Sequence, residues 1–486
     1  DATKDENAPN IDSDDIAITS DGGSIGTADQ ELDLSLTEGN PVNVEASTGV
    51  WLSDVTEDLE IGAITTERGP IELTATSGTI KYHTDAEKML DAQSIGLNAG
   101  SGDLAVSIPA DGNVDNLSAG EKLPVSLGTG GLSVQAPEGV SVTSGEDLRV
   151  GNISSEKAVT VKAEGSISAA TGSDDVNVES PDKITLSSNG GTIGTEGRNI
   201  TISQEDGSPV VASAPQGIWL EETSGALEIG SVSSGSGVAA LTSSDGSITD
   251  YHEDDATDIE ADAIRLDAPY DSIGQPSSFD SRYLQIATGS GALQADALKG
   301  IYLSRVQAGD MKIKNVTSRG LKLFDAPLKL FDVFLKAQDG SIVAAKSGYR
   351  DANIEAGRIH LTAPNGAIGA ERERLRIAEQ EGIRARSKMD MWLAGKQMRL
   401  EHILVKDGSA NVKASGDILE AEPYDTFADI EADSINLRSS RGSIGNDKGL
   451  LDFDHENEEH LDVKLDGGEL NAHAAQDVYI DVKEEH

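Results

Sequence analysis

The sequence repeats itself, and the repeat limits the fold more than any other feature. Aromatic triplets recur at Val50-Trp51-Leu52, Ile218-Trp219-Leu220, Ile301-Tyr302-Leu303, Met391-Trp392-Leu393 and Val478-Tyr479-Ile480, with Val140-Ser141-Val142 filling the gap. The intervals are 90, 78, 83, 90 and 87 residues, about 86 on average. A chain with such a period folds as stacked copies of one unit, each burying its apolar side against the next. Other landmarks keep phase. A Gly-x-Ile turn and strand stands at Ile80, Ile167, Ile248, Ile342 and Ile418, followed by an Ile-x-Leu at Ile95, Ile184, Ile264, Ile359 and Ile435. Four of the five then reach a turn and an Ile-Gly, ending at Gly194, Gly274, Gly369 and Gly445; the first drifts to GSGDLAV.

Within a unit the strand signals are short, alternate apolar with polar, and are separated by turns of Gly, Asp, Asn or Ser. Pairs of strands recur after roughly 17 to 25 residues, which is the pattern of a parallel β-helix. The expected fold is therefore all-β, a right-handed parallel β-helix of about 22 coils, four to each repeat, forming a rod roughly 110 Å long. With 3% aromatic residues the core must be aliphatic, as suits a narrow cross-section filled by stacked Ile, Leu and Val. The repeats fall at 1–48 (partial), 49–138, 139–216, 217–299, 300–389, 390–476 and 477–486 (partial), one continuous solenoid. Glu371 to Met389 has helix-favouring composition, yet its phase against Gly194 to Ile200 and Gly26 to Leu32 predicts strand. Leu321 to Leu335, with three Phe, reads as a local insertion or covering element. Ile16-Ala-Ile18 followed by GGSIG matches Ile184 to Gly194, so the chain opens in mid-repeat and ends as another repeat begins, which predicts a fragment of a longer rod.

Three segments carry a resemblance: ITLSSNGGTIGTEGRNITI at 184–202, VTVKAEGSI at 159–167 and IHLTAPNGAIG at 359–369. They resemble the haemagglutinin-type β-helical repeats of large secreted exoproteins, similar to filamentous haemagglutinin and related two-partner-secretion adhesins. The resemblance implies a secreted or cell-surface protein whose rod displays binding modules. Its partners would be the rest of its own longer chain, a host-cell, matrix or polysaccharide surface, and neighbouring rods by lateral or end-to-end association.

Charge narrows the remaining options. Lys and Arg number 38 against 85 Asp and Glu, a net charge of −47, so nucleic acid and anionic membranes are poor partners. No apolar run approaches the ~20 residues of a membrane-spanning helix. Cysteine is absent, which removes disulfides, thiolate zinc sites and cysteine nucleophiles. Acidic loops recur at Asp174 and Asp175, at Asp250, Glu253, Asp254, Asp255 and Asp258, and at Asp425 and Asp429. Clustered oxygens suit Ca²⁺, which takes six to eight of them, and Asp250 to Asp258 is the best set; solvated charge that keeps a long solenoid soluble is the competing account. Trp51, Trp219, Tyr302, Trp392 and Tyr479 each sit between two apolar residues and so face outward, where rings contact glycans or pack against loops. A Ca²⁺- or glycan-binding module is thus the second reading, and a polysaccharide-active enzyme the third. No catalytic constellation is visible, and the expectation is a non-enzymatic protein.

Overall fold

The computed structural model describes residues 9–36, 40–56, 58–83, 90–99, 101, 103–108, 123–127, 130–170, 176–205, 207–275, 283–320, 330–345, 352–421, 427–447 and 458–483. Contacts divide the chain into two compact units, Asp1–Ala240 and Leu241–His486. The fold is a right-handed parallel β-helix, and among the described residues there is no helix.

Each unit is organised by ladders of inward aliphatic residues on successive coils. In the first, Val140, Val159, Ile184, Val210 and Ile229 pair in parallel register, and Leu148, Ile167, Ile193 and Ile218 form a second ladder. In the second, Ile301, Val333, Ile359, Ile383 and Leu400 form one ladder, and Met311, Ile342, Ile368, Met391, Ala410 and Ile435 the other. Every one of these side chains is buried. Period-2 alternation sends Ile, Leu and Val inward, and coils ~4.8 Å apart bring like residues into contact. Each full aliphatic burial contributes about 1.5–3 kcal/mol, so the ladders supply the core without large rings.

The repeat landmarks sort onto these ladders. A triplet and the Ile-x-Leu of its repeat share one ladder, as Val140 with Ile184 and Ile301 with Ile359. The Gly-x-Ile, the Ile-Gly and the next triplet share the other, as Ile167, Ile193 and Ile218, Ile342, Ile368 and Met391, and Ile418, Ile444 and Val478. Where the first copy drifts, Leu104 pairs with Val140 and takes the same place. Eight-residue strands mark the point where one face becomes two. The first half of Leu148–Ser155 pairs with Ile167–Ala169 and its second half with Val178–Ser180, and Met398–Val405 divides in the same way.

One quantity departs from the sequence expectation of four coils per repeat. Three rungs carry the Val140 ladder to Val210 and four carry it to Ile229, and the next triplet, Ile218, falls between them. Likewise Met391 falls between Ile383 and Leu400, three and four rungs beyond Ile301. The repeat therefore advances between three and four coils, and successive triplets alternate between ladders. Loops that lengthen particular coils are the cause: Val140 to Val159 spans 19 residues, but Val159 to Ile184 spans 25.

Glu371 to Met389 contains the strand Leu375–Ser387 with Leu375, Ile377, Ile383 and Ala385 buried, so repeat phase prevails over helix propensity. In the Phe-rich stretch, residues 321–329 lie outside the described residues. Its end, Val333 and Leu335, belongs to the solenoid wall.

Candidate functional site

The repeated Ile-Gly is an exit. At Gly26, Gly194, Gly274, Gly369 and Gly445 the main chain turns out of the sheet at φ 70°, 68°, 70°, 71° and 71°. Only glycine takes this conformation without strain, and at Gly194 a Cβ would also stand 2.5 Å from the Trp219 carbonyl oxygen. The chain then returns to the same coil. Ile193 and Ile200, on either side of the excursion, pair with Ile218 and Leu220 of one strand. Ile25 and Leu32 pair with Val50 and Leu52, Ile273 and Leu284 with Ile301 and Leu303, Ile368 and Leu375 with Met391 and Leu393, and Ile444 and Leu461 with Val478 and Ile480. Between Gly and the returning residue lie 27–31, 195–199, 275–283, 370–374 and 446–460, that is five, five, nine, five and fifteen residues. Of these, 276–282 and 448–457 lie outside the described residues; in all five cases the flanking residues pair at one register position, and the aromatic triplet is the strand that spans each gap.

The aromatic residues themselves are half-buried. They lie on the outward side as expected, but their faces have protein neighbours. The Trp51 ring covers Gly49, the Trp219 ring covers Gly217 and the Tyr302 ring covers Gly300, close enough that a Cβ on any of these glycines would strike the ring. Arg374 sits 4.8 Å from the centre of the Trp392 ring, and Tyr479 stacks on His460 at 5.7 Å. Tyr302 also heads a stack with Phe334 at 5.1 Å and Phe334 with His360 at 4.0 Å. Burial, followed by Arg384 and Arg358, pushes the His360 imidazole down to about 4. Each of the five rings therefore has a protein neighbour while remaining half-buried. The Gly two residues before Trp51, Trp219 and Tyr302 was the sequence signal for that contact.

The acidic cluster is built around its own main chain. Asp250 accepts the N–H groups of His252 at 2.8 Å and Asp254 at 3.2 Å, Asp254 accepts that of Ala256 at 2.6 Å, and Asp258 that of Gln285 at 2.7 Å. Asp250 and Asp258 come together and are buried, while Glu253 and Asp255 stay exposed. Burial, with Asp250 and Asp254 nearby, pushes the Asp258 carboxyl up to about 8 against the opposing Gln285 N–H. Among the described residues no three His, Asp or Glu side chains are grouped to hold a metal ion. Asp174, Asp175 and Asp425 lie outside the described residues; Asp429 accepts the Asp462 N–H at 2.7 Å.

Register reveals a position that sequence reading did not isolate. Asp258 precedes the strand Ile259–Ala261 as Asn177 precedes Val178–Ser180 and Asn353 precedes Ile354–Ala363. Asn177 Oδ1 accepts the Thr201 N–H at 3.1 Å while its Nδ2 donates to the Gly151 carbonyl at 3.1 Å. Asn353 does the same with the Arg376 N–H at 3.0 Å and the Ile313 carbonyl at 3.3 Å. A carboxyl group reproduces this donor and acceptor pair only when protonated.

Also hidden in the sequence is a cationic groove in the second unit. Parallel register places Lys413, Arg438 and His473 on adjacent coils, beside a ladder in which Asn436 Nδ2 donates to Asn411 Oδ1 and Asn471 Nδ2 to Asn436 Oδ1, each at 3.1 Å. Arg374 closes one end, donating to the Asn411 carbonyl at 3.0 Å. The groove encloses about 450 Å³. Spacings of 25 and 35 residues between the basic positions show no period until the coil lengths are known.

No family model, no curated protein and no solved structure matches this chain. The fold and its exits define the class of protein as a parallel β-helical repeat protein.

Proposed function

We propose that the chain is a structural segment of an extracellular bacterial surface adhesin or exoprotein, projecting and displaying binding elements. The observation that supports the reading is the recurrent Ile-Gly exit, at which excursions of five to fifteen residues leave and rejoin the ladder at one register position. A wall that tolerates such variation without losing its inward rungs is suited to presenting surface loops. The secreted, cell-surface setting follows the resemblance to haemagglutinin-type repeats, as do the partners: the rest of a longer chain and a host-cell, matrix or polysaccharide surface.

The test is insertion. A short epitope peptide placed between Glu196 and Gly197 is expected to leave the melting temperature nearly unchanged and to be bound by its antibody on the folded protein. The same peptide placed between Ile184 and Thr185, inside a ladder strand, is expected to unfold the first unit. Equal damage from both insertions would sink the display reading.

A further inference from the structure

We propose that the groove of Lys413, Arg438, His473 and the asparagine ladder is a binding site for a linear polysaccharide of acidic, carboxylate-bearing sugars. This goes beyond the display function and does not rest on it. Four strands of the second unit, paired one to the next on successive coils, form the floor: Met391–Gly395, Ser409–Ala414, Ser434–Ser439 and Leu470–His473. Their inward residues form one ladder, so the outward residues line up in two columns, Trp392 to Asn471 and Ala394 to His473.

None of those eight outward positions is acidic, in a chain where 85 of 486 residues are Asp or Glu. Lys413 and Arg438 are exposed and stand on adjacent coils. Like charges directly opposite across strands are destabilising, and the same register position in the first unit shows no such pairing, with Lys162 beside Ser187. The face that follows Tyr302 carries cations too, but its Arg384 is ion-paired with the buried Glu401, as is Arg358 at 3.2 Å. The Lys413 groove therefore presents the stronger anion site.

The ligand chemistry follows from what lies beside the charges. Asn436 and Asn471 offer amide groups fixed by the ladder, suited to hydroxyl groups, and the cations repeat at the ~4.8 Å coil spacing. An extended chain of acidic sugars presents hydroxyls and regularly spaced carboxylates together. Nucleic acid fits less well: the Trp392 ring is covered by Arg374 and so is not open for base stacking, and a net charge of −47 opposes a polyanion as dense as a phosphate backbone.

Calorimetry on the full chain with a hexameric oligogalacturonate tests the site. Saturable binding that weakens with salt is expected, with Lys413→Glu and Arg438→Glu each reducing affinity about tenfold or more. Arg438→Gln, a milder change, should give a smaller loss in the same direction. Lys162→Glu makes the same charge change at the matching position of the first unit and should alter affinity by less than about twofold. Circular dichroism confirms that each variant folds. No saturable heat with the wild-type chain, an equal loss from Lys162→Glu, or stronger binding of single-stranded DNA or neutral dextran than of oligogalacturonate would overturn the proposal. None of these outcomes bears on the epitope insertion.

Discussion

At the scale of single residues, two positions show how backbone geometry and burial dictate chemistry. Gly194 turns the chain outward at φ 68° against the Trp219 carbonyl. Gly194→Ala should therefore cost about 3 kcal/mol or more, since strain and a main-chain collision add. Gly197, at φ 85° with open space around it, should lose only about 1 kcal/mol on the same change; urea denaturation distinguishes the two. Asp258 is the second case. Its carboxyl, raised by burial to about 8 from 3.8, holds its proton in the folded protein across a range where the unfolded chain has released it. Stability from this group is thus fully present below about pH 4 and declines as pH rises through about 8. Glu222 and Glu379, each pushed up to about 7 by burial, act in the same direction. Asp258→Asn keeps the donor and acceptor found in Asn177 and Asn353, so the variant should lose less stability than wild type between about pH 5 and about pH 9. Denaturation curves at the two pH values check this, and an unchanged difference would show that Asp258 contributes no proton to the effect.

At the scale of the strand and its turn, stability resides in rungs and corners. Ile193 is fully buried between Ile167 and Ile218, and Ile193→Ala should cost about 2–5 kcal/mol because the coils above and below cannot both close the gap. Corner serines fasten the turns to those rungs. Ser188 Oγ donates to the Gly165 carbonyl at 2.7 Å and accepts the Gly191 N–H at 3.0 Å, and Ser439 repeats the arrangement with Gly416 and Gly442. Ser188→Ala leaves both backbone groups without that partner, with an expected loss of about 1–3 kcal/mol. Thermal melts of the two variants would reverse in order if the corners rather than the ladders dominated.

Across the whole molecule, electrostatics sets the response to solvent. With a net charge of −47, self-repulsion opposes the folded state and is screened by salt over a Debye length of about 10 Å at 0.1 M. Raising NaCl from about 0.05 to about 0.5 M should raise the melting temperature. Calcium is expected to act as any divalent salt does, because Asp250, Asp254 and Asp258 are engaged with main-chain N–H groups. A saturable calcium heat, or a melting rise beyond that given by magnesium at matched ionic strength, would restore a specific site.

The sequence by itself determined the parallel β-helix, because an internal period and alternating short strands are properties of order along the chain. It placed Ile193, Ile218 and Ile359 in the wall, assigned Glu371 to Met389 to strand through repeat phase, of which Leu375–Ser387 is strand, and put Trp219 on the outward side. Tertiary structure alone decided what lies beside what. Coil lengths vary from one rung to the next, so neither the fractional coil advance per repeat nor the alignment of Lys413 with Arg438 and His473 can be counted from spacing. The faces of the aromatic rings belong to the same class, since whether Trp392 meets solvent or Arg374 depends on an excursion that leaves one coil, rejoins that coil and reaches the ring on the neighbouring strand. A chain acidic overall holds a basic groove for the same reason: net charge sums over residues, whereas a ligand meets only those that register brings together.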